Sequence, residues 1–265
     1  MTVGKAWQRQ VREREQERES ANRFSRWWEH IDRDIAHAVI RPIDHRTAAT
    51  IIKTYEWMQN MPAITWHCFG IYFGGHLGGA VVYAPEYAEN LGVWDKYGYT
   101  GKIILLARGA CVHWAHPHAG SKLIRGSMKL LPPRFEVVTA TVDEMAGEVG
   151  TIYQACGFHY VGKMKKGTRT MAVFDGRSNS ERSLRRNHGT SAMDAVSDAI
   201  QDVQFVKQVR KGRYFAFRGS KKVQREHLAA ISHLIQPYPK REIDEGSNDG
   251  SSSRIWTAGD RPQES

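Results

Sequence analysis

Cys111 to Leu131 read CVHWAHPHAGSKLIRGSMKLL. Three histidines, His113, His116 and His118, fall within six residues, and a small-residue turn then runs into a segment where Leu123, Ile124, Met128 and Leu131 recur at helical spacing. Two chemistries compete for this stretch. Clustered imidazoles suggest a metal site. The turn suggests an anion site instead. Gly120 lets the backbone approach a phosphate, the free N–H groups of a helix starting near Ser121 bind it, and Lys122 adds charge. His113 alternates with Val112 and Trp114 along a strand, which suits a core or cofactor-lining histidine. Pro117 holds His116 extended, so a ligand trio here needs a tight turn.

The flanking segments supply the frame. KIILLARGACVHW, ending in the opening stretch, is a long apolar run broken by Arg108-Gly109, which predicts a strand with a bulge or break in its middle. After Pro132-Pro133 stop the helix, FEVVTATVD is a strand leading to Asp143. GEVGTIYQACGF is a short helix closed by Gly157, and HYVG and TRTMAVF are strands. Upstream, CFGIYFGGHLGGAVVYAP carries two β-rich runs around a glycine-dense turn. A phosphate turn opens a helix, whereas these glycines lead into Ala80-Val81-Val82-Tyr83, so the segment reads as a hairpin. HRTAATIIKTYEWMQNMP is an amphipathic helix with Ala48, Ile51, Ile52, Tyr55 and Met58 on one side. Trp27, Trp28, Ile31 and Ile35 also sit at helical spacing. The order describes an α/β (α+β) domain over roughly residues 40–175.

Both ends differ in composition. Residues 1–20 mix charges of both signs with few apolar residues, a frayed or solvated helix at most. DGRSNSERSLRRNHG reads as a loop, SAMDAVSDAIQDVQFV as a helix starting at Ser191, GRYFAF as a strand, and REHLAAISHLIQPYPKR as a helix ended by Pro237. From Lys163 to Arg241 there are 18 Lys and Arg against 6 Asp and Glu, a net of +12. From Glu242 onward six acids face two bases, the composition of a disordered tail. The expected division is a charged segment over 1–20, a catalytic domain with N-terminal helices over 21–175, a basic extension packing on it over 176–241, and an acidic tail over 242–265. A basic lobe on a nearly neutral domain suits an enzyme acting on nucleic acid, or a merely solvated basic face. Cys68, Cys111 and Cys156 are far apart without a CxxC pair, against a disulfide framework or structural zinc. No apolar run reaches membrane-spanning length and no leader pattern is present, so the expectation is a cytoplasmic protein with no membrane partner.

Strand, small-residue turn and helix over 103–131, followed by IYQACGFHYVG, resemble the GNAT acyltransferases. That resemblance implies a mixed central sheet flanked by helices and an acetyl-CoA or related acyl-CoA cofactor. It also implies pyrophosphate at the turn, lined by Val112, His113, Trp114, Gly120, Ser121 and Lys122. The turn departs from the family's Q/R-x-x-G-x-G/A pattern, since His116 or Pro117 stands where Gln or Arg is expected.

LARGACVHWAHPHAGSKLIRGSMKLLP, TATVDEMAGEVGTIYQACGF and GRYFAF…LIQPYPKR resemble a narrower group, the Mom family of phage DNA-modification proteins, from about Val39 to Arg241. The family is GNAT-like and converts adenine in phage DNA to N6-carbamoylmethyladenine, which blocks host restriction. The resemblance implies functional roles for Arg108, Ser121, Asp143 and Tyr153. It also implies one for Tyr55, although Thr54 stands where the family often has histidine. On this reading Tyr153, an un-ionised phenol, protonates a thiolate, and Asp143 or a nearby histidine accepts the amine proton. The product joins nitrogen to a CH₂ group, which plain acyl transfer from acetyl-CoA does not make. Activation of that carbon would favour iron, held by His113, His116, His118 and Asp143.

The same residues have structural readings. Arg108 and Asp143 would form a buried ion pair, Ser121 an N-cap, and Tyr153 core. Adenine must leave the duplex to react. Arg210, Lys211, Arg213, Lys221, Lys222, Lys240 and Arg241 are the expected phosphate grip on double-stranded DNA, with Tyr214 and Tyr238 as aromatic contacts or as packing. A homodimer is compatible with the sequence. Two other classes compete with DNA modification: an acetyl-CoA-dependent N-acetyltransferase of a protein or small amine, and a non-catalytic DNA-binding protein on the same scaffold.

Overall fold

In chain order the elements are α1 (Trp7–Ser20), β1 (Val39–Pro42), α2 (His45–Tyr55), β2 (His67–Phe73), β3 (His76–Ala84), β4 (Ile103–Cys111), α3 (Ala119–Leu130), β5 (Val137–Val142), α4 (Thr151–Ala155), β6 (His159–Lys163), β7 (Thr170–Phe174), β8 (Arg177–Asn179), β9 (Gln204–Lys207), β10 (Gly212–Phe217), α5 (Lys221–Ile231) and β11 (Ile255–Trp256). The computed structural model describes residues 7–20, 27–87, 91–143, 147–163, 170–174, 177–179, 184, 203–207, 211–240 and 255–256. Among the described residues no helix is long and apolar enough to cross a membrane.

One unit, Met1–Lys163 with Gly212–Arg241, holds a seven-stranded sheet in the order β1-β2-β3-β4-β5-β10-β6. The glycine-rich stretch is the expected hairpin. Gly74 and Gly75 turn it with φ of +53° and +85°, values that side-chain-bearing residues rarely adopt. β4 pairs antiparallel with β3, and the register skips Ala107, one residue before the expected break. β4 and β5 are parallel and pair only from Ile103↔Val137 to Leu106↔Ala140. Since β4 runs on to Cys111 and β5 to Val142, they part beyond that point and leave a gap between them.

α2 presents Ala48, Ile51, Ile52 and Tyr55 as one apolar stripe, and Asp44 caps it by accepting from the Thr47 N–H. α3 buries Ala119, Leu123, Ile124 and Ser127 and packs on β1–β4 and on α4. Burial of each large aliphatic chain here contributes roughly 1.5–3 kcal/mol.

Several expectations change. GRYFAF, assigned to an extension packed on the domain, is an inner strand of the sheet: β10 pairs antiparallel with β5 from Gly212↔Val142 to Phe217↔Val137 and with β6 on its other side. Trp27 to Ile35 do not form a helix. A single 3-10 turn, Trp27–His30, precedes bends and turns, and Val39–Pro42 is a strand. The segment 7–20 is not solvated all round, because Val11 is 2% exposed and Glu15 is 8% exposed. Gln204–Lys207, expected at the end of a helix, is β9; the β-branched and aromatic Phe205-Val206 favour a strand. Residues 191–202 of that expected helix lie outside the described residues.

The other unit, Met164–Lys211 with Glu242–Ser265, holds a four-stranded sheet in the order β11-β9-β7-β8 around Ala172, Leu184, Val203 and Phe205. TRTMAVF belongs here and not to the main sheet, and Ile255–Trp256 of the expected tail pairs with β9.

Candidate active site

The gap between β4 and β5 is a cavity of about 640 Å³, within the range of small-molecule sites. Its walls are mainly apolar, from Val81, Leu106, Leu123, Ile124, Val142 and Ile152, with Tyr153 among them. Gly109, Ala110, Cys111, His113, Pro117 and Gly120 line it from β4 and the turn that follows. Gln8, Arg9, Arg12, Glu13 and Gln16 line it from α1.

α1 is held by polar contacts. Gln8 Nε2 donates to the Gly109 carbonyl at 2.7 Å, on the part of β4 that β5 has left. Arg12 Nη2 donates to the His113 and Ala115 carbonyls at 3.1 and 3.0 Å. Sequence reasoning missed these residues. Gln8, Arg12, Glu15 and Glu19 recur every three or four residues, a polar stripe on one helix face, and that spacing was the available signal.

α3 starts two residues earlier than expected. His118 is its N-cap, and the first turn of N–H groups precedes the Lys122 N–H to His118 carbonyl bond. Gly120 and Ser121 lie in that turn. A Cβ on Gly120 would sit 2.7 Å from Ile152 Cδ1, so the missing side chain lets α4 pack close to α3. Ser121 is not the cap; its hydroxyl donates to the His118 carbonyl at 3.0 Å. Lys122 does not add its charge at the turn as expected, because Nζ donates to the Ile35 carbonyl and to that of Ala36. Val112 and Trp114 are buried, with the Trp114 ring edge-on to Phe73 and Trp27, and they do not line the cavity.

The histidine cluster does not converge. His113 Nδ1 meets the Tyr55 hydroxyl at 3.0 Å, and Nε2 meets Glu19 Oε2 at 2.9 Å, so both ring nitrogens are engaged. His116 and His118 lie beside one another with ring centroids 5.4 Å apart, and His116 Nδ1 accepts from the His118 N–H. Asp143 is buried immediately after β5. Among the described residues no three His, Cys, Asp or Glu side chains come together as a metal ligand set. The proposed iron ligands His113, His116, His118 and Asp143 are therefore corrected: this donor set does not fit a metal.

Arg108 does not form the expected pair with Asp143. It faces the loop after α2, where Nε donates to the Asn60 carbonyl and Nη2 to Asn60 Oδ1, both at 3.0 Å, and Glu56 Oε2 lies 3.7 Å away. Glu56, absent from the sequence-based candidates, thus stands between the ends of α2 and β4. Tyr153 sits on α4 with its ring 5.3 Å from Phe158 and 5.4 Å from Tyr214. Burial, with smaller contributions from the Glu148 and Glu56 carboxylates, holds its phenol well above the ordinary range. It therefore stays protonated and can donate.

Among the residues expected to grip DNA, Arg213 is corrected. Its guanidinium lies 3.6 Å from the buried Glu86 carboxylate and 4.9 Å from the Trp94 ring centroid, and burial lowers its pKa. A half-desolvated, paired cation is structural. Tyr214 is also core, fully buried, with its hydroxyl on the Val149 carbonyl. Tyr238 donates to the Phe158 carbonyl at 2.7 Å and packs the segment after α5 onto the sheet. Lys221 and Lys222 are exposed on the first turn of α5, and Lys240 is exposed beyond it. Lys211 is half-buried beside β10, and Arg210 and Arg241 lie outside the described residues.

A family model described as the Mom protein family matches residues 37–240. No curated protein matches the chain. Similar solved structures include a Bacillus subtilis acetyltransferase in complex with CoA, at 10% identity and TM-score 0.36, covering 69% of this chain and 99% of that one. A GNAT family acetyltransferase from Elizabethkingia anophelis with acetyl-CoA bound has 8% identity and TM-score 0.38, over 68% and 98%. A Vibrio cholerae spermidine N-acetyltransferase has 12% identity and TM-score 0.40, over 72% and 98%.

Proposed function

The chain belongs to the Mom protein family, and on that premise we propose that it is a phage DNA-modification transferase. It acts on adenine in double-stranded DNA, takes its group from an acyl-CoA or related thioester, and yields N6-carbamoylmethyladenine, which protects the DNA from restriction. The observation that carries the reading is the apolar cavity between the parting strands β4 and β5, with the protonated Tyr153 phenol in its wall and the α3 first turn at its side.

The residues suit a thioester. A pantetheine-like chain is long and mostly apolar, as are the walls. The first-turn N–H groups at Gly120 and Ser121 suit a pyrophosphate, which a helix N-terminus attracts. A bound thioester would supply the carbon skeleton and a sulfur to be released; because the product joins nitrogen to CH₂ and ends in an amide, an oxidant and a nitrogen donor would also be needed. Tyr153, un-ionised in the cavity wall, would hold a proton for that sulfur when its C–S bond breaks. Arg108, fixed by Asn60 and Glu56, stands with Tyr55 and Glu56 at the end of α2 and orients the adenine. The exposed Lys221, Lys222 and Lys240 hold phosphates while the base is out of the stack.

Mass spectrometry of nucleosides from DNA of cells expressing the protein tests this. The expected product is an adenosine heavier by C₂H₃NO. An acetylated adenosine means ordinary acyl transfer to DNA, and unmodified DNA with an acetylated amine or protein means a different acceptor; either result overturns the reading.

A further inference from the structure

A second cavity, of about 400 Å³, lies in the same unit as the first and shares no lining residue with it. Its apolar side comes from Met128 of α3, Phe217 of β10 and Leu228 of α5. Its polar side comes from His159 of β6 with Lys221 and Arg225 of α5. Among the described residues no carboxylate lines it. Arg225 Nε donates to the Lys221 carbonyl at 3.1 Å, so the two cations stand one turn apart on one face of the helix. The one acid of α5, Glu226, lies 4.0 Å from Lys222 on the neighbouring line.

The imidazole here is the outer ring of a stack. His159 lies on Phe217 with centroids 6.0 Å apart and planes 29° apart. Phe217 lies in the same way on the buried His227, at 5.9 Å and 25°. Burial lowers the His159 pKa below its ordinary value, so at neutral pH the ring is an uncharged aromatic face. The positive charge of the cavity then belongs to Lys221 and Arg225. An acidic peptide would use those cations and leave the ring idle. A nucleotide uses both, because its phosphate meets the cations while its base continues the stack. A base can do so only out of a duplex, where its own face is free.

We propose that this cavity holds one nucleotide of an unpaired DNA strand, with His159 as the stacking surface for its base and Lys221 and Arg225 as the ligands of its phosphate. This rests on the functional reading above and adds to it a site away from the reacting adenine. Cys156 and Gly157, just after α4, lie at the second cavity, while Thr151, Ile152 and Tyr153 of α4 line the first. A helix of five residues is about 7 Å long, roughly two base steps at about 3.4 Å each. A strand anchored here therefore keeps a nearby base within reach of the first cavity once that base has left the stack.

Fluorescence anisotropy with the full chain tests this, using a labelled single-stranded oligothymidylate and an abasic strand of the same length. The wild type should bind the strand that carries bases about tenfold more tightly. His159→Ala should remove that preference, His159→Phe should keep it, and neither should change the salt dependence. Arg225→Gln should keep the preference and lower the slope of log affinity against log salt by about 0.7. A wild type indifferent to bases, or a preference that survives in His159→Ala, overturns the site. So does an unchanged slope in Arg225→Gln. Polyglutamate that competes as well as the oligothymidylate would assign the cavity to an acidic protein. Coenzyme A that displaces the strand from the wild type but not from His159→Ala would assign it to the nucleotide end of a cofactor. Either result overturns the proposal. The binding results need no turnover, so a wild type that binds as expected but modifies no adenine sinks the functional reading alone.

Discussion

The Tyr214 hydroxyl donates to the Val149 carbonyl at 2.6 Å, and the same ring lies 5.4 Å from that of Tyr153. An inner strand near the C-terminal end thus holds both the loop before α4 and the phenol that lines the cavity. Tyr214→Phe leaves the Val149 carbonyl without that donor and should cost about 1–3 kcal/mol. The check is the urea midpoint, together with a fall in turnover from a less firmly held Tyr153. A midpoint equal to the wild type would detach Tyr214 from this role.

Two glycines separate backbone strain from crowding. Gly150 and Gly157 both have positive φ, +73° and +80°. A Cβ on Gly150 would lie 2.5 Å from Tyr214 Cζ, whereas one on Gly157 meets nothing within 4 Å. Gly157→Ala should therefore cost only the backbone term, about 1 kcal/mol. Gly150→Ala should cost clearly more and reduce turnover, because Tyr214 must shift. Equal losses in thermal melts would show that the contact is relieved at no expense.

Local pattern made much of this fold legible. The hairpin across Gly74-Gly75, the helix after the histidine turn and the short helix ending at Gly157 each depend on residues close in sequence. β10 was legible as a strand but not in its place, because its partners at Val137–Val142 lie about seventy residues upstream and their pairing leaves no mark in either segment. The buried face of α1 was missed because its anchors are polar. Gln8 and Arg12 bind backbone carbonyls, and a periodicity of hydrophobic residues cannot report such contacts. For the same reason charge alone could not distinguish Arg213, paired with Glu86, from exposed Lys221 and Lys222. The histidine cluster misled because one turn of chain sends His113 inward and leaves His116 and His118 outside.

Tyr153 makes a prediction about alkaline pH. Its phenol is raised above its ordinary value of 10.0, chiefly by burial. A donor acid is lost as pH rises through its own pKa, so a raised pKa keeps Tyr153 protonated through the ordinary phenol range. The kcat profile should show no falling limb near pH 10 that Tyr153→Phe abolishes. Tyr153→Phe itself should lower kcat by about 10²-fold at neutral pH. Full activity in that variant would remove Tyr153 from the chemistry.

Glu136 predicts acid sensitivity. Its carboxylate meets His227 Nε2 at 2.9 Å and Lys102 Nζ at 3.3 Å, and the His227 hydrogen bond is the main cause of its lowered pKa. A carboxyl whose folded pKa is depressed adds stability above its unfolded value and loses it as pH falls through the folded one. The stability gap between wild type and Glu136→Gln should thus be full at neutral pH and close on acidification below the usual carboxylate range. Denaturation midpoints at a series of pH values measure it, and a gap that widens in acid would contradict the assignment.

Arg213 and the α5 lysines should part in DNA binding. Each phosphate contact releases counterions, so removing one lowers the slope of log affinity against log salt by about 0.9 on duplex DNA. Lys221→Ala and Lys222→Ala, on an exposed helix turn, should each weaken binding similarly across sequences and flatten that slope. Arg213→Ala should leave the slope unchanged, because its charge already faces Glu86. It should instead destabilise the fold by about 3–5 kcal/mol, since the buried Glu86 carboxylate would lose this cation. Salt titrations of DNA affinity beside melting curves separate the two effects. A slope that drops with Arg213 and not with Lys221 or Lys222 would move the DNA surface from α5 to the Glu86 side of β10.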